Sequence, residues 1–412
     1  MNEWLKETKK DVELKIILFL IAPFFAFLYS LYRIKTKSSY CVFFLFSIFF
    51  GISFSVDSGR DIAGEGVDGQ YYRENFEIYI NLDAYDFYDK FLNYISFTGY
   101  SKDFYFDTIA YYISRVTENY HFLFLVVSVV FIFFALKSFK FFTTEEKFDN
   151  SIISYFLVYL FFYNQIFNIN GFRFWTAAWI AIYCIFQIYR NNNKKYIFLA
   201  FLTPYFHGAY WIFLGVLIIS QLFRKFKNFW ILFYFISFFV SYFSISIIQR
   251  LHSYLPLTFS RFAERYTSDE VIASREWSGF GWLPELFNSL VSIYIAIIIF
   301  LFIKHSKEIL QDGRTKNLYL FLIVWCSIFN FLMIVPSLGS RFILLSYPII
   351  AYIWLVKFKD KRYNSVLIFL PLVFFWDIFK QLVSYNKVID FGFYFSSPIY
   401  LIYKYIINFN PI

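Results

Sequence analysis

The chain alternates between long apolar runs and short polar segments. A helix that crosses the roughly 30 Å hydrocarbon core of a membrane needs about 20 mostly apolar residues at 1.5 Å rise each. The pattern therefore predicts an all-α, polytopic membrane protein: a single integral membrane domain over 1–412 with about 11–13 transmembrane or re-entrant helices. The predicted spans are 16–32, 40–56, 120–136, 151–167, 173–189, 229–249, 283–303, 317–336, 341–356 and 365–383.

Six short segments between the apolar runs hold more than half of the 38 Lys and Arg residues. They are 33–37, 137–147, 190–195, 224–227, 304–316 and 357–362. Basic short loops mark the cytoplasmic side of a membrane protein. The opposite, outer side then receives a long loop at 57–119, a second outer loop at 250–282 and the connections 168–172 and 337–340. This arrangement predicts that the N-terminus lies outside.

Two apolar runs do not fit the pattern of a single membrane-spanning helix. The run 196–223 would be about 42 Å long as one helix, and both its ends are basic. The "TPYFHG" stretch inside it carries Pro204 and Gly208, which favour a corner. We expect two short helices with His207 near the outer tip; the alternative is one long kinked helix. The aromatic run 391–409 either spans the membrane or lies at its surface.

Composition supports a membrane protein and argues against nucleic acid as a partner. The chain is 59% hydrophobic and 16% charged, whereas soluble domains carry about 25% charged residues. The net charge of +9 therefore reflects the basic loops. The sequence contains no nucleotide-binding motif and no spacing typical of metal ligands, so it predicts neither a cofactor nor a metal site.

Two arginines open apolar runs on the predicted outer side. Arg173 lies in "NINGFRFWTAAW", three residues after Asn170, so the two can share a helix face; Arg341 follows "PSLGS". Charged residues inside a membrane are costly and usually face a bundle interior or a wet cavity. Arginine binds phosphate through a two-pronged hydrogen-bonding group. Both are candidate phosphate ligands, and the plainer interpretation is an arginine reaching the membrane surface.

The glycine-rich start of the long outer loop adds candidate sugar-binding groups. Asp61 or Asp68 could act as a general base or bind a sugar hydroxyl. Tyr71 and Tyr72 could stack on a sugar ring. The alternative is an acidic loop that is simply solvated.

Three more arginines and one histidine on the predicted outer side are candidate site residues. Arg60 lies in the long loop, and Arg261 and Arg265 are four residues apart in "RFAERY", where they fit one helix face or pair with the intervening glutamate. His207 is the histidine placed most centrally, which favours an acid/base or phosphate-binding role.

These motifs, taken in order, resemble the Wzy-type polysaccharide polymerases of O-antigen and capsule synthesis, in particular the EpsG-like family. The resemblance rests on the "GRD…DGQYY" loop, the "NGFR" helix start, the "HG" corner and the "SRF" helix start. The family often has Arg-Gln after the asparagine and His-Ser at the corner, from which this chain departs.

The resemblance implies a helical fold related to lipid-linked-sugar transferases (GT-C-like) in the bacterial inner membrane. It implies an undecaprenyl-diphosphate-linked oligosaccharide as substrate, contact with membrane lipid, no cofactor, and a chain-length regulator protein as a candidate partner. The expected catalytic residues are His207, Asp61, Asp68 and Arg173. The expected substrate-binding residues are Arg60, Tyr71, Tyr72, Asn170, Arg261, Arg265 and Arg341.

Two other classes remain open at this point. A lipid-linked-oligosaccharide flippase would spread polar residues through both membrane halves and show an inverted repeat, which the sequence does not display. Another membrane enzyme, such as a polyprenyl-dependent glycosyltransferase, would use an acidic pair such as Asp57 and Asp61. An O-acyltransferase would place its key histidine on the cytoplasmic side.

Overall fold

Helices form the regular structure of the described chain. The structure, a computed structural model, describes residues 6–56, 68–98, 101–251, 254, 260, 282–335, 338–359 and 363–409. No β-strand occurs in these ranges, as the all-α prediction requires. The predicted site residues Arg60, Asp61, Arg261 and Arg265 lie outside the described residues.

The first part of the chain contains eight α-helices, several of which start at a polar cap. They are α1 (Lys9–Ile21), α2 (Pro23–Tyr32), α3 (Lys37–Ile52), α4 (Asp68–Ile80), α5 (Ala84–Ile95), α6 (Tyr105–Ser114), α7 (His121–Thr143) and α8 (Ile152–Phe161). The side chains of Thr8, Thr36, Asp83 and Ser151 each accept a backbone N–H at the start of a helix. Such caps satisfy amides that have no partner within the helix.

The second part follows a 3₁₀ turn at Ile166–Gly171. Its helices are α9 (Phe172–Ile185), α10 (Tyr196–Ala200), α11 (Thr203–Phe206), α12 (Tyr210–Phe223), α13 (Lys227–Val240), α14 (Phe243–Leu251), α15 (Trp282–Lys304), α16 (Ser306–Leu310), α17 (Gly313–Phe331), α18 (Gly339–Leu344), α19 (Tyr347–Lys357), α20 (Asn364–Ile368), α21 (Leu370–Val373), α22 (Phe375–Tyr385) and α23 (Pro398–Ile402).

Three helical stretches in the described ranges are long and apolar enough to cross a membrane: His121–Thr143, Ile152–Arg190 and Gly339–Lys357. Two bent helix pairs raise the number to five: α13 with α14, which meet at 93°, and Asn364–Val373 with α22, which meet at 45°. Shorter apolar helices accompany them. The chain is therefore an all-α polytopic membrane protein.

The segments predicted to be cytoplasmic meet at one end of the helix bundle, here called the inner end. The buried Glu145 carboxylate accepts hydrogen bonds from Arg190 (2.9 Å) and Arg314 (2.6 Å). Lys35 donates to the backbone carbonyl of Glu145 (3.3 Å), and Lys359 donates to a carbonyl two residues further along. Five of the six basic segments thus lie together, as the charge pattern predicted.

The N-terminal helices lie differently from the prediction. The buried Lys15 ammonium donates to Glu7 (2.8 Å), Thr36 (2.8 Å) and Ser38 (2.7 Å), so α1 begins at the inner end. The run 16–32 is not one span, because the chain is extended just before Pro23. Proline has no amide hydrogen and disfavours helix at the preceding residue. The prediction that the N-terminus lies outside is therefore wrong: α1 and α2 form a hairpin whose two open ends share the inner end.

The run 391–409 does not span the bundle. Its start is held where Ser55 N donates to Val388 O (2.8 Å), and its end where the Asn119 side chain donates to Tyr405 O (2.9 Å). Ser55 and Asn119 flank the long outer loop, so this segment enters and returns at the outer end. At its tip, the rings of Tyr394 and Phe24 lie 4.9 Å apart. Its tip thus meets the tip of the α1–α2 hairpin.

The run 196–223 forms the predicted pair of short helices. At the inner end, the hydroxyls of Tyr196 and Tyr183 lie 3.4 Å apart, and Arg224 lies over the ring of Tyr189. Between these ends the backbone of His207 is extended (φ −156°, ψ 124°). The run therefore enters and returns with His207 at its tip, and the single long helix is excluded.

Candidate functional site

Arg173 is fixed by two side chains of the long outer loop. It occupies the first turn of α9, where its Nη1 donates to Asp103 Oδ1 (2.9 Å) and its Nε donates to the Tyr72 hydroxyl (3.1 Å). Its side chain is 24% exposed. Arginine stays charged at any physiological pH. The structure therefore presents a fixed positive group at the outer end of the bundle.

Asp103 is a site residue that the sequence reasoning missed. Its side chain is 1% exposed, and besides Arg173 it accepts the backbone N–H of Gly208 (3.4 Å). Asp103 thus connects Arg173 to the corner that carries His207. No sequence motif marks Asp103, but a physical argument points to its loop. A largely buried arginine needs an acidic partner, and the long outer loop is the acidic segment on that side.

Tyr72 does not have the predicted role in sugar stacking. It is 4% exposed, and its ring packs against Phe172 (4.2 Å between centroids) and Phe106 (5.3 Å). No face is open to a sugar ring, so Tyr72 instead positions Arg173. Tyr71 is 41% exposed and keeps an accessible ring. The two neighbours differ because α4 turns about 100° per residue.

The predicted residues Asn170 and Asp68 lie on either side of one close contact. Asn170 Oδ1 accepts the backbone N–H of Gly69 (2.8 Å), which fixes the start of α4 beside the 3₁₀ turn. A Cβ atom added at Gly171 would lie 3.3 Å from Asp68 Oδ2. Asn170 therefore ties the start of α4 to the 3₁₀ turn, and the exposed residue Asp68 lies at the entrance of α9.

His207 has a defined hydrogen-bonding arrangement. Its Nδ1 accepts the backbone N–H of Ala209 (3.2 Å), so a neutral ring carries its proton on Nε2. The ring meets Phe174 edge-to-face at 5.3 Å. Gly208 allows the tight corner, because a Cβ there would lie 2.7 Å from Lys102 O. His207 therefore presents Nε2–H as a donor.

Arg341 lies close to the same region, against the ring of Phe174. Its guanidinium carbon lies 5.6 Å from the centre of the Phe174 ring. Gly339 lets α18 pack closely, since a Cβ there would lie 2.5 Å from Leu332 O. Arg341, Arg173 and Lys102 all act electrostatically on His207. The predicted gathering of positive groups at the outer end is therefore present among the described residues.

The geometry defines a class first: an all-helical membrane protein with two arginines and a histidine close together at its outer end. Within the described residues, no group of His, Cys, Asp and Glu side chains has the arrangement of a metal site. The EpsG family model matches residues 58–405. The chain therefore belongs to the EpsG family, a family of Wzy-like polysaccharide polymerases.

The match covers most of the chain and includes the long outer loop, α9, the His207 corner and α18. Neither a curated protein nor a solved structure matches this chain. The expected relation to lipid-linked-sugar transferase folds thus stays a prediction, whereas the general type of protein, a glycosyltransferase-like membrane polymerase, follows from the family.

Proposed function

We propose that this chain joins undecaprenyl-diphosphate-linked oligosaccharide repeat units into O-antigen or capsular polysaccharide at the outer face of the bacterial inner membrane. The observation that carries the proposal is the placement of Arg173 and Arg341 near His207, with Arg341 and His207 both against the ring of Phe174. A diphosphate leaving group gains negative charge in the transition state, and fixed positive groups stabilise that charge.

The proposed step forms one glycosidic bond and breaks one glycosyl–phosphate bond. A hydroxyl oxygen of the acceptor unit attacks the anomeric carbon of the donor, and the bond from that carbon to the diphosphate oxygen breaks. The diphosphate leaves on its lipid between Arg173 and Arg341. His207 Nε2–H donates a hydrogen bond to the leaving oxygens. The acceptor proton passes to a carboxylate, for which Asp68 is the exposed candidate in the described chain and Asp61 is the other predicted one.

Substrate selection falls to the exposed groups around this centre. Tyr71 offers an open ring for a sugar, whereas Tyr72, Asn170 and Asp103 hold the framework. Arg60, Arg261 and Arg265 are proposed as further ligands of the diphosphate or the sugar on the basis of sequence alone. A chain-length regulator protein is a proposed partner on the same basis.

A flippase fits the charge distribution less well. A transporter needs polar groups that serve substrate in both membrane halves. At the inner end, Arg190 and Arg314 are both bound to Glu145, which also accepts from the Tyr352 hydroxyl (2.5 Å). Arg190 and Arg314 therefore share one counter-ion. Arg341 at the outer end, in contrast, has no ion pair with a residue that the structure describes, which favours chemistry at the outer end.

The test compares surface polysaccharide on gels from strains carrying the wild-type chain, no chain, Arg173→Ala, or Arg115→Ala as the control. Arg115 is an exposed arginine of the same outer loop. We expect a single capping repeat unit without the ladder for the deletion and for Arg173→Ala, and a full ladder for Arg115→Ala. Loss of all surface glycan would indicate an export defect, and a full-length ladder with well-expressed Arg173→Ala would refute the proposed site.

A further inference from the structure

A crevice of about 860 Å³ opens beside Arg341, between α13, α15 and α18. Its walls include Tyr234, Phe238, Ile297 and Leu344. Cavities that bind small ligands measure about 300–1,000 Å³ and are mostly apolar with a few polar groups. The crevice falls within this range of volume, and its lining is mostly apolar.

The apolar wall of the crevice continues onto the outside of the bundle. Phe235, Phe238, Ile293, Ile297 and Phe300 line it, and each is at least 40% exposed. On α15 the lining runs from residue 289 to 300, which corresponds to about 17 Å of helix. A hydrocarbon chain could therefore enter sideways from the membrane and lie along α15.

The charged side chains of the crevice lining are Arg341, Asp377 and Lys380. Asp377 is already satisfied, because Lys380 lies 2.9 Å from it and the Tyr163 hydroxyl donates to it at 3.0 Å. Arg341, in contrast, forms no ion pair or hydrogen bond with any residue that the structure describes. A half-buried arginine without a carboxylate partner in the described part of the chain is suited to bind an anion.

The same arginine joins the crevice to the candidate site, since it lies over Phe174, whose ring also meets His207. We infer that the crevice holds the isoprenoid chain of a lipid diphosphate, with the diphosphate on Arg341 next to the site that Arg173 and His207 form. This inference rests on the proposed function and deepens it, because it assigns the place of the lipid. The volume suits the isoprene units nearest the diphosphate, and the remaining chain would lie in the membrane.

The test uses the full chain in lipid nanodiscs and a C15 isoprenoid diphosphate that carries a photoreactive diazirine in its chain. Labelled peptides are mapped by mass spectrometry. We expect labels on α13 and α15. Ala296→Phe, which fills the crevice, should lower labelling about tenfold or more, equivalent to ~1.4 kcal/mol. Leu290→Phe, on the same helix but outside the lining, should label like wild type. Arg341→Gln should weaken labelling by the isoprenoid diphosphate. A polyprenol probe without phosphate should label the wild-type chain poorly for the same reason, because it lacks the anion that Arg341 binds.

Labels on other helices, or equal competition by an ordinary phospholipid, would overturn the inference. If Ala296→Phe fails to fold, Ala296→Cys in a Cys41→Ser background replaces it: the isoprenoid diphosphate should protect that thiol from an apolar maleimide, and absence of protection counts against the crevice. Labelling of the crevice without polymer synthesis would refute the proposed function but support the lipid site. Polymer synthesis without labelling of the crevice would support the proposed function but refute the lipid site.

Discussion

Asp103→Asn removes one negative charge from the best-defined pair of the candidate site and keeps the shape of the side chain. In the structure Asp103 Oδ1 lies 2.9 Å from Arg173 Nη1. Two unit charges about 4 Å apart interact by ~4 kcal/mol at an effective dielectric constant of 20. Removing one partner of a buried pair lowers the free energy of unfolding by about 3–5 kcal/mol. Because Arg173 is partly exposed, we expect a loss of stability near the lower end of this range.

The effect on activity follows from positioning. Asp103 touches the guanidinium and the His207 corner but not the proposed substrate. A displacement of about 1 Å in a catalytic group can reduce a rate about 100-fold, which corresponds to ~2.7 kcal/mol. We therefore expect Asp103→Asn to lower kcat/KM for polymerisation about 100-fold. The double variant with Arg173→Ala should be no slower than Arg173→Ala alone, because both changes disable one unit.

The assay measures polymer formed by the purified chain in nanodiscs from lipid-linked repeat units, alongside thermal unfolding monitored by fluorescence-detected gel filtration. Asp89→Asn is the matched control, since Asp89 is an exposed aspartate of the same loop. It should behave like wild type in both measurements. Wild-type kcat/KM in a fully folded Asp103→Asn variant, or additive losses in the double variant, would refute the positioning role.

Three further predictions address other parts of the structure. His207→Gln, whose amide can donate a hydrogen bond, should retain more polymerisation activity than His207→Ala; equal loss in both, with normal expression, would point to proton transfer by the ring instead. In a Cys41→Ser background, Lys10→Cys and Asn192→Cys should both react with a membrane-impermeant maleimide added to the outside of inverted vesicles. Labelling of only one of the two would contradict the α1–α2 hairpin. The hydrogen bond from Arg314 holds the pKa of Asp312 below its ordinary value, so the ionised Asp312 stabilises the fold above pH ~4, and this stabilisation is lost as the pH falls through the folded-state pKa. Asp312→Asn should therefore lower the melting temperature at pH 7, and the difference in melting temperature from wild type should become smaller in acid. A difference that does not change with pH would exclude this linkage.

The sequence by itself determined the class of the protein and the grouping of its loops. Apolar runs near the length of a membrane span predict helices, because lipid leaves every backbone group to be satisfied within a segment. Basic short loops predicted the inner end, and the structure brings Lys35, Glu145, Arg190 and Arg314 together there. The local chemistry of Pro204 and Gly208 also predicted the corner at His207. Arg173 and Arg341 were identified because charge is rare and costly in such segments.

Only the tertiary structure decided which side chains meet. Asp103 is one acidic residue among many in its loop, and its role depends on the loop folding back onto α9. Tyr71 and Tyr72 are adjacent in sequence, yet packing against Phe172 buries one and leaves the other open. The hairpin of α1 and α2 depends on the distant partners of Lys15 at Thr36 and Ser38. Such contacts join residues far apart in the chain, and hydropathy, which is a local property, carries no record of them.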